Sequence, residues 1–322
     1  MRRRHLLGLA AASVGNLCAF SGSAGAQNLA SRPLRLVVPF PAGSATDNVA
    51  RLLAREFQAE FSQPAVVENR PGAQGLLGAE MVARSPADSN TFLVAAVSFA
   101  AAPSMFRKIP FDPIADFVLI SQLVTTPLVL MVRSEMPVKS IQDFIDYARS
   151  RRTGLSAGYG SSSSQVCIAQ LAALTKLSFV SVGYKGIPLA VNDLLAGAID
   201  FTFADLGNAV AQSKGGRLKA IGVTSGHRSA IVPEWPALSE TVPGYDIDAW
   251  IALLGPRGTG QEVSQSLSDA ARKAFSRPDV IDRLASFGFT PYAESQANRH
   301  GFLRSEIEKW ARLSKQAGIE PE

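Results

Sequence analysis

RLVVPFPAGSATDNVARLLAREFQAEFSQPAVVENR, residues 35–70, decides the fold. RLVVPF is a β-rich apolar run, and Pro39 and Pro41 stiffen its exit. Gly43 then admits a backbone angle that other residues resist. Ser44, Thr46 and Asp47 are each able to cap the helix that follows. NVARLLAREFQAEF repeats apolar residues at helical spacing, and AVVENR is the next strand. GLLGAEMVARS continues as a helix and NTFLVAAV as a third strand. This β-α-β-α-β order implies a mostly parallel sheet with helices on both faces.

The pattern restarts downstream. VKSIQDFIDYARSR spaces Ile141, Phe144, Ile145 and Ala148 at three- and four-residue steps. TGLSAGY, SFVSVGY and RLKAIGVTS read as strands; SSSSQVCIAQLAALTKL and AVNDLLAG read as helices. FVLISQLVTTPLVLMV and YDIDAWIALLGP look like crossings between two such units. A double crossing builds lobe one from both chain ends, residues 27–124 plus 250–322, and lobe two from 125–249. The helices around QEVSQSLSDAARKAFS, PDVIDRLASFG and GFLRSEIEKWARLSKQAG then pack on lobe one. The expected fold class is α/β, with two doubly wound lobes, a hinge and a central cleft.

Residues 1–26 carry Arg2, Arg3 and Arg4, an apolar run, and Ala24-Gly25-Ala26 as a small-x-small cleavage site. They read as an export signal, either ordinary secretory or twin-arginine, placing the mature chain in the periplasm. The apolar run is too short and too broken to span a membrane stably. Leu17 precedes Cys18 where a lipid-attachment motif has a small residue.

The chain holds 32 basic and 27 acidic residues, a formal +5, and loss of the three arginines leaves +2. No basic cluster with interleaved aromatics appears, so nucleic acid is not an expected partner. Cys167 is the one cysteine past the signal and sits in an apolar helix, which points to core packing. His227 and His300 are the two histidines past the signal, too few for a histidine-built zinc site. No metal, cofactor or catalytic residue is expected.

Two loops carry the chemistry. In PFPAGSATD the helix start presents amides without intrahelical partners, and the helix dipole favours an anion there. A carboxylate or phosphate can dock without lysine; a plain capped turn is the alternative. GYGSSSSQ, residues 158–165, repeats the arrangement in the second unit. It lacks the G-x-S-x-G of a nucleophile elbow and the third glycine of a dinucleotide loop. ENRPGAQG, SFAAAPS, VGYKGIP and FTFADLG also end predicted strands, where ligands bind in open α/β sheets. Arg70 and Lys185 read either as turn and cap residues or as ligand contacts, Asp205 as a cap or an acceptor. Trp250 reads as a cleft wall or as core beside the hinge.

LRLVVPFPAGSATDNVARLLA, VVENRPGAQGLLGAE, VGYKGIPLAVNDLLAGAID, GGRLKAIGVTS and GYDIDAWIALLGPRGT occur in order. Together they resemble the Bordetella uptake gene (Bug) family, the periplasmic solute-binding proteins of tripartite tricarboxylate transporters. The resemblance covers about residues 32–320. It implies a type II periplasmic-binding-protein fold, a small carboxylate ligand (amino acid, di- or tricarboxylate, or aromatic acid) and membrane transporter subunits as partners. It also implies that the first loop holds one carboxylate through backbone amides and water. Mapped onto this chain, the contact set is Phe40, Pro41, Ala42, Gly43, Ser44, Ala45, Thr46 and Asp47 on lobe one, with Gln74 and Ser98. Lobe two supplies Ser161, Ser162, Ser163, Ser164, Gln165, Tyr184, Lys185, Gly186 and Asp205. The chain departs from the family pattern at Ala42 and Ser44, at Val166 where a histidine is common, and at Ala204, beside which Asp205 is offset by one. A monomer fits a protein that opens and closes. A sensor feeding a membrane signalling partner, and more remotely a serine hydrolase, are the rival readings.

Overall fold

The computed structural model describes residues 32–292 and 299–321. The export-signal reading of residues 1–26 lies outside them, as does the His300 side chain. β1 (Leu34–Val38) pairs in parallel with β2 (Ala65–Asn69) and β3 (Thr91–Ala96). The connecting helices are α1 (Ala45–Phe61) and α2 (Leu76–Ala83). SFAAAPS lies within a helix, α3 (Val97–Met105), rather than in a loop alone.

β4 (Phe117–Arg133) is the crossing. The second unit then runs α4 (Ile141–Ser150), β5 (Leu155–Tyr159), α5 (Ser162–Thr175), β6 (Phe179–Gly183), α6 (Ile187–Ala196), β7 (Phe201–Asp205), α7 (Leu206–Lys214) and β8 (Leu218–Val223). The chain returns through β9 (Asp248–Pro256) to α8 (Gln261–Phe275), α9 (Pro278–Ser286), β10 (Thr290–Pro291) and α10 (Arg299–Gln316). Strand order is β2-β1-β3-β9-β4-β7-β5-β6, with β8 and β10 also on β4.

β4 serves both lobes in turn. Its residues from Phe117 to Pro127 pair antiparallel with β9, and from Leu128 onward the partners are β7 and β8. Register shifts at Leu119/Ser121 and Gln122/Val124 bend the strand before the switch. The sheets are therefore mixed rather than mostly parallel. The parallel strands β2-β1-β3 are met by β9, which returns from the second lobe and so runs the opposite way.

Each sheet face has its own apolar cover. Leu53 and Phe57 of α1 pack with Leu267 of α8 and Leu284 of α9 over Leu34, Leu36 and Leu253. The opposite face carries Phe99, Phe117 and Trp310, and its cluster continues past Leu130 to Phe144 and Phe201 in the second lobe. On α4, the residues at helical spacing — Ile141, Phe144, Ile145 and Ala148 — are the buried ones. Burying such side chains contributes roughly 1.5–3 kcal/mol each. The third cluster, from α6, α7 and β8, covers the remaining face of lobe two.

Candidate functional site

Five strands that lead into helices, β1, β3, β5, β6 and β7, end at one cavity. Its volume is about 480 Å³. Ser44, Ala96, Ser161, Gly186 and Asp205 line it, and each is the N-cap of a helix: α1, α3, α5, α6 and α7. Five helix N-termini therefore converge on one space, each bringing partial positive charge and amides.

The α1 loop shows which donors remain available. Ser44 Oγ accepts from the Asp47 amide, Pro41 O accepts from the Ser44 amide, and Asp47 Oδ2 accepts from the Gly43 amide. Gly43 makes the turn at φ +79°. Among the described residues, nothing accepts from the Ala45 and Thr46 amides, and the Thr46 hydroxyl has no partner. Both residues line the cavity. Asp47 is buried and braces the loop from behind, taking Arg51 Nε at 2.8 Å and Asn69 Nδ2 at 2.9 Å. Burial alone would raise its carboxyl, but hydrogen bonds from Arg51, Gly43 and Asn69 outweigh that and hold it below the ordinary value.

The second lobe is built on a close backbone approach. A Cβ at Gly160 would lie 2.2 Å from Gly186 C and Ile187 N, so the serine loop lies backbone on backbone against the lysine loop. Ser161 and Ser164 form a reciprocal cap, with Ser164 Oγ accepting from the Gly160 and Ser161 amides at 3.1 Å. Asp205 caps nothing with its side chain; its contact is Asn208 Nδ2 at 3.4 Å. Burial pushes its carboxyl up, with the Asn208 contact opposing. Lys185 has no hydrogen bond or ion pair among the described residues.

The cavity gathers twelve of the sequence candidates: Phe40, Pro41, Ala42, Ser44, Ala45, Thr46, Ser98, Ser161, Ser163, Lys185, Gly186 and Asp205. The other seven sit outside its wall. Gly43 and Asp47 shape the loop, and Ser162 and Ser164 are buried in the α5 cap. Gln165 lies beyond it on α5, and Tyr184 turns its hydroxyl to Asp193 Oδ2 at 2.7 Å. Gln74 instead bridges the lobes: Ser162 Oγ donates to its Oε1. Ala73 and Gln74 both hold left-handed angles, φ +45° and +52°, to make that contact, a conformation that costs of order 1–3 kcal/mol per residue.

Sequence reasoning did not select Thr126, Leu189, Asn208, Ile251 and Phe289, which also line the cavity. Thr126 and Ile251 lie within the two crossing segments, and Leu189 follows the lysine loop, so position was the available signal. Trp250 lines the cavity too, and its Nε1 donates to Glu306 Oε2 at 2.7 Å. His227 is exposed and makes no hydrogen bond to the serine cap, whose hydroxyls bond one another. Burial pushes the Cys167 thiol up to about 12, as for a core residue.

Two α/β lobes sharing one strand, with a cleft at the strands' carboxyl ends, define a two-lobed periplasmic-type solute-binding protein. The chain belongs to the tripartite tricarboxylate transporter family receptors, whose model matches residues 49–319. BugT of Bordetella pertussis is 30% identical over 293 residues, covering 89% of this chain and 90% of that one. The structure of R. palustris Rpa4515 with adipate matches with a TM-score of 0.86 and 29% identity, covering 91% of this chain and 99% of the other. MatC from Rhodopseudomonas palustris with bound malate matches with a TM-score of 0.80 and 30% identity, covering 88% and 99%.

Proposed function

We propose that this chain is an extracytoplasmic receptor that holds a small carboxylate between its lobes and delivers it to transporter membrane subunits. The carrying observation is the convergence of five helix N-termini on a cavity lined by a single basic side chain, Lys185. Oriented amides suit an anion that must later be released. The carboxylate sits at the α1 loop, on the Ala45 and Thr46 amides and the Thr46 hydroxyl, with lobe-two contacts from Ser161, Ser163 and Lys185. The family, and the acids named for two related structures, support the ligand class.

The lobes comprise residues 27–124 plus 250–322 and residues 125–249, and they hinge where β4 changes partners and where β9 begins. Closure tightens the Gln74–Ser162 contact. The protein acts in the periplasm as a monomer and catalyses nothing. Among the described residues no helix is long and apolar enough to cross a membrane. Thermal unfolding with and without a panel of carboxylates tests the reading. A ligand at about 100 times its Kd adds roughly 2.7 kcal/mol. A rise confined to carboxylates supports it; no rise with any, in protein unfolded and refolded to strip the cleft, refutes it.

A further inference from the structure

We propose that lobe one carries a second binding site, remote from the cleft, for an amphiphilic anion: one oxyanion head on a short hydrocarbon body. The place is the far end of the β4/β9 ladder. β9 leaves the cleft at Trp250 and ends at Pro256, which pairs with Phe117 at the start of β4. Over that run the strand advances roughly 20 Å, at about 3.3 Å per residue. A cavity of about 700 Å³ lies at this end, between β4, α8 and α10. It shares no lining residue with the cleft. Its volume falls in the range of pockets that enclose small ligands, roughly 300–1,000 Å³.

The polar side of this cavity is the start of α8, a 15-residue helix whose N-cap is Gly260. Gly260 offers no side chain to cap it, and among the described residues nothing accepts from the Gln261, Glu262 and Val263 amides. Those donors and the helix dipole favour an anion. Ser264 supplies the second, independent observation. It lines the cavity, it is 8% exposed, and its hydroxyl makes no hydrogen bond among the described residues. A buried hydroxyl without a partner is costly unless something fills the space it faces. Arg304 of α10 adds a guanidinium with no hydrogen bond or ion pair among the described residues. Glu262, on the same turn of α8, is the exposed carboxylate that an incoming anion meets.

The other side is hydrocarbon. Ile114, Phe117, Val118 and Leu119 line it from the β4 strand and its approach, and Leu303 from α10. Phe117 and Leu303 are buried, whereas Ile114 is 37% exposed. The two sides are tied together. The Arg257 amide donates to Asp116 O at 2.7 Å, and Thr259 Oγ1 donates to Pro256 O at 2.7 Å. The approach to α8 is therefore fixed against the approach to β4, and the oxyanion donors stand over an apolar wall that is already set.

The test is amide-resolved nitrogen-15 NMR of the mature chain titrated with octanoate, octyl phosphate, inorganic phosphate and octan-1-ol. Octanoate or octyl phosphate should shift the Gln261, Glu262 and Val263 amides saturably, and the head that saturates at the lower concentration is the one the site takes. Both should act at least about tenfold more strongly than inorganic phosphate or octan-1-ol. Arg304→Gln, at an exposed residue without partners, should weaken the amphiphile about tenfold with the unfolding curve unchanged. Ser264→Ala should weaken it about fivefold with the melting temperature held or raised, whereas a structural serine would lower that temperature. Shifts confined to the Ala45 and Thr46 amides, or none at residues 261–263, overturn the proposal and leave the cleft reading untouched. Equal action by octan-1-ol or by inorganic phosphate overturns it too, as does unchanged affinity in both variants.

Discussion

Replacing Glu306 with alanine tests how the C-terminal helix holds the cleft. Glu306 Oε2 accepts from Trp250 Nε1 at 2.7 Å and from Trp310 Nε1 at 3.1 Å. The two indoles are 4% and 0% exposed, so neither donor can turn to water once the carboxylate is gone. Each orphaned buried donor costs about 1–3 kcal/mol. Both together cost roughly 2–6 kcal/mol. Relief of the carboxylate's own desolvation offsets part of this, as does release of Lys309, which lies within 3.2 Å. A net loss of about 3 kcal/mol is expected. At about 2–4 °C per kcal/mol, the melting temperature should fall by roughly 6–12 °C. Glu306→Gln keeps one acceptor oxygen in the same shape and should lose about 1 kcal/mol. Denaturant and thermal unfolding of the three proteins measure the series. Glu306→Ala within about 0.5 kcal/mol of the parent, or Glu306→Gln as damaging as Glu306→Ala, would refute the reasoning.

Thr46→Ala removes an unpartnered hydroxyl from the proposed anion site; carboxylate affinity should fall about five- to tenfold with the melting temperature held, and equal affinity by calorimetry would contradict the loop assignment. Gly160→Ala forces a methyl against the Gly186 and Ile187 backbone, so unfolding experiments should show a loss of about 1–3 kcal/mol, and ligand binding should weaken with it. The Asp47 carboxyl is held below its ordinary value of 3.8, so it contributes stability that is complete above that pH and lost as pH falls through the folded value. Asp47→Asn should therefore be less stable than the parent at neutral pH, with the difference shrinking as acid protonates the parent; a difference independent of pH would contradict the Arg51 and Asn69 bracing.

Much of the fold was legible because its elements keep their periodicities. Ile141, Phe144, Ile145 and Ala148 mark α4 in the sequence and are its buried residues. Of the two crossing segments, FVLISQLVTTPLVLMV was legible as an apolar run too long for a single-lobe strand, and it forms the 17-residue β4. Their pairing was not: nothing local in FVLISQLVTTPLVLMV says that β9 runs beside it, since that contact joins residues more than a hundred positions apart. The site divides the same way. Loop positions before helices are readable from cap residues such as Ser44 and Ser161. The direction of a side chain is not, which is why Asp47 braces the loop while its neighbour Thr46 faces the cavity. Gln74 reaches Ser162 through two left-handed residues that no propensity favours. Phe289 and Asn208 reach the cleft by tertiary packing alone.

The central claim is that backbone amides of the α1 loop hold a carboxylate. Nitrogen-15 NMR of the stripped protein, titrated with a bound carboxylic acid and with its carboxamide, tests this directly. The account predicts saturable shifts of the Ala45 and Thr46 amide resonances with the carboxylate and none with the carboxamide. Equal shifts with both compounds, or saturable binding that leaves those two amides unmoved, would contradict it.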